Sequence, residues 1–306
     1  MRRLTLFILL FASLSLISQA GIQSGSAPSS DAFPSSEDLR PTELEEDLRF
    51  LTDSSLIGGR ACGSASAQSA AFFLLRQFRS AGLRTTVQSF QSAGKACHNV
   101  IAVTPGWYRK YILVSAYYDG LGTLGGEYYP GADSNSSSVA ALLELSRVMP
   151  VFCKGDTGLV FVAFDAHNAG LTGSLEYVKE YLSEYKLSLV VNLDILGSSL
   201  VPLHKDRPEY LIALGGLQNC FALERVNRSY GLDLSYDYYG SSNFTDLFYR
   251  KISDQRHFLE RGVPCIMFTS GITLNTNRTT DTLSSLDIPL LHKRICFIRD
   301  FLRTQL

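Results

Sequence analysis

The sequence predicts an α/β chain with a doubly wound, largely parallel (mixed) central sheet flanked by helices. Two observations carry this. Apolar runs of strand length alternate with amphipathic runs of helical spacing, the pattern that builds parallel sheets covered on both faces. Polar residues also collect where successive strands run out, at Tyr117 to Asp119, Asp133 to Asn135 and Asp165 to Asn168. The carboxyl ends of strands are where open α/β sheets bind ligands.

Taken in order, Thr42 to Thr52 carries Leu44, Leu48 and Leu51 at helical spacing behind a cluster of acids. Ser66 to Ser80 reads as a helix with Ala70, Phe73, Leu74 and Phe78 on one face, stopped by Ala81-Gly82. Thr85 to Phe90 and His98 to Val103 read as strands. Tyr111 to Tyr117 is nearly all apolar and is therefore a central strand. Ser136 to Met149 is expected to be helix, Leu159 to Phe164 strand, Ser174 to Tyr185 helix and Leu187 to Leu193 strand. Tyr210 to Leu214 and Cys265 to Phe268 add strands on either side of a helix at Leu217 to Tyr230. Asp287 to Leu302 closes the chain as a helix.

Composition sets the class. The 306 residues are 45% hydrophobic and 19% charged with a formal net charge of −1, an ordinary globular balance. Such neutrality offers no long-range field for nucleic acid or an anionic membrane. No inner segment approaches the ~18 apolar residues of a spanning helix, so no membrane span is expected once the leader is removed. Arg2 and Arg3 before the apolar run Leu4 to Ile17, then Ser18-Gln19-Ala20, read as a secretory signal peptide over 1–20, with an uncleaved anchor as the alternative. Residues 21–40, rich in Ser, Gly and Pro, read as a flexible linker. Residues 41–306 then form a single domain. The implied location is secreted or periplasmic, where disulfides form. Of six cysteines, Cys62 and Cys97 are the expected pair, since both flank polar turns near the start of the domain. Cys265 reads as a buried thiol. No C-x-x-C occurs.

The loop segments also carry a resemblance. Tyr117-Tyr118-Asp119, Gly131-Ala132-Asp133-Ser134-Asn135, the run from His167 through Gly170-Leu171 to Gly173-Ser174, Asn192-Leu193-Asp194, Ser253-Asp254 with Phe258, Gly262 with Pro264, and Asn277 with Asp281-Thr282 follow one another in a specific order and spacing. They resemble the site motifs of the zinc-dependent M28 aminopeptidases: H-x-D, G-A-x-D-N, E-E-x-G-L-x-G-S, N-L-D, S-D-x-x-x-F, G-x-P and H-x-x-x-D-T. The resemblance implies an exopeptidase fold with two zinc ions bridged by a carboxylate, and a Glu that takes a proton from metal-bound water.

The turn and packing residues of the pattern are kept, and the metal ligands are not. The ligand histidines fall on Tyr117 and Asn277, the bridging Asp on Ser134 and the terminal Glu on Asn168. Only Asp194 keeps its ligand identity, and the general base falls on His167. A phenol with a pKa of about 10 and neutral oxygens do not replace imidazole and carboxylate for zinc. Asp119 keeps the place of the Asp of H-x-D, which the resemblance makes the partner of the ligand histidine. Asp133 stands one residue from the bridging position but is not expected to point the same way.

The expectation is a non-catalytic M28-like protein that binds a peptide, glycan or protein in the old cleft, with no cofactor. The alternatives are an active metal-dependent aminopeptidase with a non-standard zinc site, and a glutaminyl cyclase-like acyltransferase. The cyclase needs Asp, Glu and His on one zinc, where only Asp194 is available. A makeshift site from Asp119, His167, Asp194 and His257 is a further possibility, with no spacing motif behind it. Asp194 also reads as a plain carboxylate accepting loop N–H bonds. Tyr117, Tyr118, Tyr128 and Tyr129, with Tyr236, Tyr238 and Tyr239, read either as an aromatic cleft or as ordinary packing.

Overall fold

A computed structural model describes residues 41–57 and 59–306. The expected signal peptide and linker lie outside the described residues. The chain runs α1 (Pro41–Thr52), α2 (Ala65–Ser80), β1 (Arg84–Ser92), β2 (Lys95–Val103), β3 (Lys110–Tyr117), β4 (Gly122–Leu124), β5 (Glu127–Tyr129), α3 (Ser137–Val148), β6 (Thr157–Phe164), α4 (Thr172–Tyr181) and β7 (Leu187–Leu193). It continues through β8 (Tyr210–Leu214), α5 (Cys220–Asn227), β9 (Asp233–Ser235), α6 (Ser242–Arg250), α7 (Arg256–Leu259), β10 (Cys265–Thr269) and α8 (Ile288–Arg303).

The main sheet has the order β1-β2-β6-β3-β7-β10-β8-β9. Its centre, β6-β3-β7-β10, is parallel. The β1-β2 hairpin, the β2-β6 pair and the β10-β8 pair are antiparallel, so the sheet is mixed. Strand alternation sorts side chains onto two covered faces. On β6, Leu159, Phe161 and Ala163 face a core shared with α1, α2, α3 and α8. Val160, Val162 and Phe164 face the opposite core, with Tyr177 and Val178 of α4 and Phe258 of α7. Tyr117, the last residue of β3, is on this second face.

Local chemistry fixes the helix ends. Ser64 caps α2 by accepting from the Ala67 N–H, and Asp287 caps α8 by accepting from the Leu290 N–H, each at 3.1 Å. Cys62 and Cys97 form the expected disulfide, with Cα atoms 6.1 Å apart. Cys265 is a buried free thiol.

Three sequence expectations are corrected. The helix expected over Leu217 to Tyr230 is a short 3₁₀ turn, Gly216–Asn219, followed by α5, which stops at Asn227. The Asn227 side chain donates to Leu232 O at 2.8 Å and accepts from Leu232 N at 2.9 Å, and so folds the chain back. The helix after β6 ends at Tyr181, not Tyr185. Between α5 and β10, where no element was expected, stand β9, α6 and α7.

Candidate functional site

The polar loops at the carboxyl ends of β3, β6 and β7 are tied together by side chains. Asn135 donates to Tyr117 O at 3.1 Å and accepts from the Ile195 N–H at 2.8 Å, which joins the ends of β3 and β7. Both oxygens of Asp281 accept from the loop that holds Asn135, taking Asp133 N at 2.7 Å and Ser134 N at 3.0 Å. The loop needs glycine at its start: Gly131 has φ 61°, and a Cβ there would sit 2.8 Å from Ser134 O. Buried Arg60 donates to Tyr118 O and to Ser136 Oγ, each at 2.8 Å, and to Leu51 O, which fastens α1 to the same loops. Asp119 is fully buried and accepts from His167 N at 2.8 Å and Asn168 N at 3.0 Å. Burial lifts its carboxyl to about 6 despite the opposing pull of His167 and these N–H groups.

These loops enclose a cavity of about 120 Å³. Tyr117, Ser134, His167, Asn168, Asp194 and Asn277 all line it, so every ligand position implied by the resemblance, with the general-base position, converges on one space. Tyr238, Phe248, Ile252 and Met267 supply an apolar wall. Tyr117 and Ser134 are closed on each other through hydroxyls 3.1 Å apart. Burial first, then the charge of Asp194, holds the Tyr117 phenol well above its ordinary value, so it stays neutral. The His167 ring stacks on Tyr117, centroids 3.6 Å apart and planes 13° from parallel. His167 Nδ1 is 2.8 Å from Asp254 Oδ2. Burial alone would push the imidazole down, but Asp254, Asp194 and Asp119 outweigh it and lift it to about 9. Asp194 accepts a short hydrogen bond from Ser253 Oγ, so its buried partner is a hydroxyl and not the loop N–H groups expected. Burial pushes its carboxyl up as well, against the opposing pull of His167 and Ser253.

Several expected site residues lie elsewhere. Asp133 turns away from the cavity and accepts from Gly197 N at 2.7 Å and Ser137 Oγ at 3.1 Å. His257 is not at the cleft. Its Nδ1 meets Ser174 Oγ of α4 at 3.0 Å. Asp119 sits behind the cavity wall. The set Asp119, His167, Asp194 and His257 therefore does not assemble around one point. Tyr118, Tyr128 and Tyr239 pack with a bonded tip, each donating to a backbone carbonyl at 2.7 Å.

Sequence reasoning missed the apolar wall and the role of Asp254 as the partner of His167. Part of the wall had a signal: Ser241 accepts from the Phe244 N–H, and Phe244, Leu247 and Phe248 follow at helical spacing, the pattern of a short capped helix that carries Phe248.

Two zinc ions call for imidazoles and carboxylates with free lone pairs. Here Tyr117 and Ser134 satisfy each other, and Asn168 Nδ2 donates to Asp119 at 3.2 Å. Among the described residues, Asp194 is the single carboxylate lining the cavity. This donor set does not fit a zinc pair. Among the described residues, a cluster with metal-ligand spacing occurs at Cys62, Cys97 and Asp165, and both of its sulfurs are spent in the disulfide.

The sequence pattern of peptidase family M28 matches residues 99–300, more than half of the chain. The chain is 27% identical over 262 residues to the uncharacterized protein YfbL of Escherichia coli K12, covering 78% of this chain and 80% of that one. It is 29% identical over 199 residues to leupeptin-inactivating enzyme 1 of Streptomyces exfoliatus, covering 61% of this chain and 44% of the enzyme, so it spans less than half of that relative. Among solved structures, the zinc aminopeptidase BSAP of Bacillus subtilis superposes with a TM-score of 0.70 at 15% identity, over 87% of this chain and 95% of that one. The glutaminyl cyclase of Porphyromonas gingivalis superposes with a TM-score of 0.67 at 18% identity, over 89% and 99%. At these identities the superpositions speak to the fold alone.

Proposed function

Because the chain belongs to peptidase family M28, we propose that it is an exported, non-catalytic member that uses the former peptidase cleft to bind a peptide. One observation carries this reading. The residues at the family's ligand positions share one cavity, yet four of the five are neutral, and two of these close on each other by a hydrogen bond. Two dications need anionic compensation that a single carboxylate does not provide.

The cavity favours a peptide over a larger ligand. At about 120 Å³ it is smaller than the ~300 Å³ at which small-molecule pockets begin. It takes one side chain against Tyr238, Phe248, Ile252 and Met267, while the rest of the ligand lies on the surface. The exposed aliphatics in its lining, Ile252 and Ile272, suit an extended partner.

The test measures zinc content, turnover of aminoacyl nitroanilides with added zinc, and affinity for a peptide library. The expected results are substoichiometric zinc, no turnover, and peptide binding that falls at least tenfold in Ile252→Trp, which fills the cavity mouth. Stoichiometric zinc with turnover would make the chain an active aminopeptidase and end this reading.

A further inference from the structure

The carboxylates around the cavity raise a question of charge that the family's ligand pattern no longer answers. Asp119, Asp194 and Asp254 are all buried. Asp119 is satisfied by the backbone N–H groups of His167 and Asn168. Asp254 is not: Oδ2 meets His167, and Oδ1 is buried with no hydrogen-bond partner. Buried charge without a partner is costly, so something must neutralise this pair of acids.

Among the described residues, His167 is the one basic side chain lining the cavity. Two contacts fix it, the 2.8 Å bond to Asp254 and the stack on Tyr117, and Tyr117 is fixed in turn by Ser134. Arg60 is also buried nearby, but its guanidinium is engaged with Leu51 O, Tyr118 O and Ser136 Oγ. The replacements therefore form one connected unit, Ser134–Tyr117–His167–Asp254, and not a set of separate losses.

We propose that the His167–Asp254 ion pair is the cavity's built-in substitute for bound metal, supplying the positive charge its buried carboxylates require and keeping divalent cations out. The proposal rests on the non-catalytic reading above. A cation fixed in so small a space repels an entering dication, and the carboxylate it occupies is no longer free to attract one.

Two measurements test it. The first is a thermal double-mutant cycle at neutral pH on the zinc-free protein with His167→Gln, Asp254→Asn and both together. Each single change is expected to lower the midpoint by several degrees, and the double variant to recover at least half of the summed loss. Strictly additive losses would overturn the pairing. The second restores the ligand set with Tyr117→His, Ser134→Asp, Asn168→Glu and Asn277→His, with or without His167→Gln, and reads zinc affinity by titration calorimetry. Retaining His167 is expected to weaken zinc binding at least a hundredfold, and equal affinities would overturn the exclusion. Where the restored variants do not fold, the cycle alone decides. Zinc and turnover in the unmodified protein would defeat the functional reading, whereas additivity in zinc-free protein would defeat only this one.

Discussion

Asp281 shows how much of the site hangs on one side chain. Its two oxygens hold consecutive N–H groups, Asp133 and Ser134, and so set the loop that carries Ser134 into the cavity. Asp281→Ala leaves both buried donors unpaired and is expected to cost about 3 kcal/mol by urea denaturation, with Asp281→Asn losing roughly half of that. An equal loss in both variants would mean that charge, and not acceptor geometry, holds the loop. His167 gives a prediction of a different kind. Its folded value of about 9 stands above the ordinary 6.5, so it binds its proton more tightly when folded. The stability it contributes is fully present below about pH 6.5 and is lost as pH rises through 9, on the order of 3 kcal/mol. His167→Gln should flatten the thermal midpoint between those limits, and an unchanged slope would show that the imidazole carries no such charge. Both residues were visible in the sequence as members of a motif. Their partners were not, because Asp254 and the loop N–H groups are distant in sequence and meet only through the fold.

The joint between α1 and α3 works by the same physics at larger scale. Arg147 of α3 reaches Asp47 at 2.7 Å, Glu144 at 2.6 Å and Glu43 at 3.6 Å, and Gln77 of α2 at 3.3 Å. Burial nevertheless pushes Asp47 up to about 6 and Glu144 up to about 7, against the pull of Arg147. Carboxyls raised in the folded state favour folding while protonated, so their contribution is present below about pH 4 and is lost as pH climbs through 6 to 7. Glu144→Gln is therefore expected to raise stability at pH 8 by about 1 kcal/mol and to leave it unchanged at pH 4. Arg147→Ala should cost about 3 kcal/mol at pH 8, and less than half of that at pH 5, where Asp47 and Glu144 are protonated. A loss independent of pH would mean that Arg147 acts by packing its stem. The amphipathic pattern of α1 was legible, with Leu44, Leu48 and Leu51 buried as expected, because apolar spacing reports on the buried face alone. The polar face that makes the joint has no such period. α6 does carry such a pattern, in Phe244, Leu247 and Phe248, but over only 9 residues it repeats too few times to stand out from the loops around it.

Across the whole molecule, the layers were legible and the surface around the cavity was not. Strand alternation and helical spacing are repeated many times along the chain, so the order of elements and the mixed, mostly parallel centre of the sheet follow from them. The β4-β5 hairpin, β9 and α7 are too short to set a period of their own. The loops that line the cavity come from segments as far apart as Tyr117 and Asn277, yet motif order was enough to collect them. That collection leads to a test on the intact fold. A ligand that binds only the folded state stabilises it by RT ln(1 + [L]/Kd). Zinc held with a Kd near 1 nM, at about 0.1 mM free metal, would add roughly 7 kcal/mol. In a domain of this size that would lift the thermal midpoint by more than about 10 °C, and a chelator would reverse it. A cavity whose donors are bonded to one another has no such reserve. The midpoint is therefore expected to stay within about 2 °C whether zinc or chelator is added. A rise of 10 °C or more would mean that Tyr117 and Ser134 separate to admit metal, and the replacement of ligands would no longer explain the site.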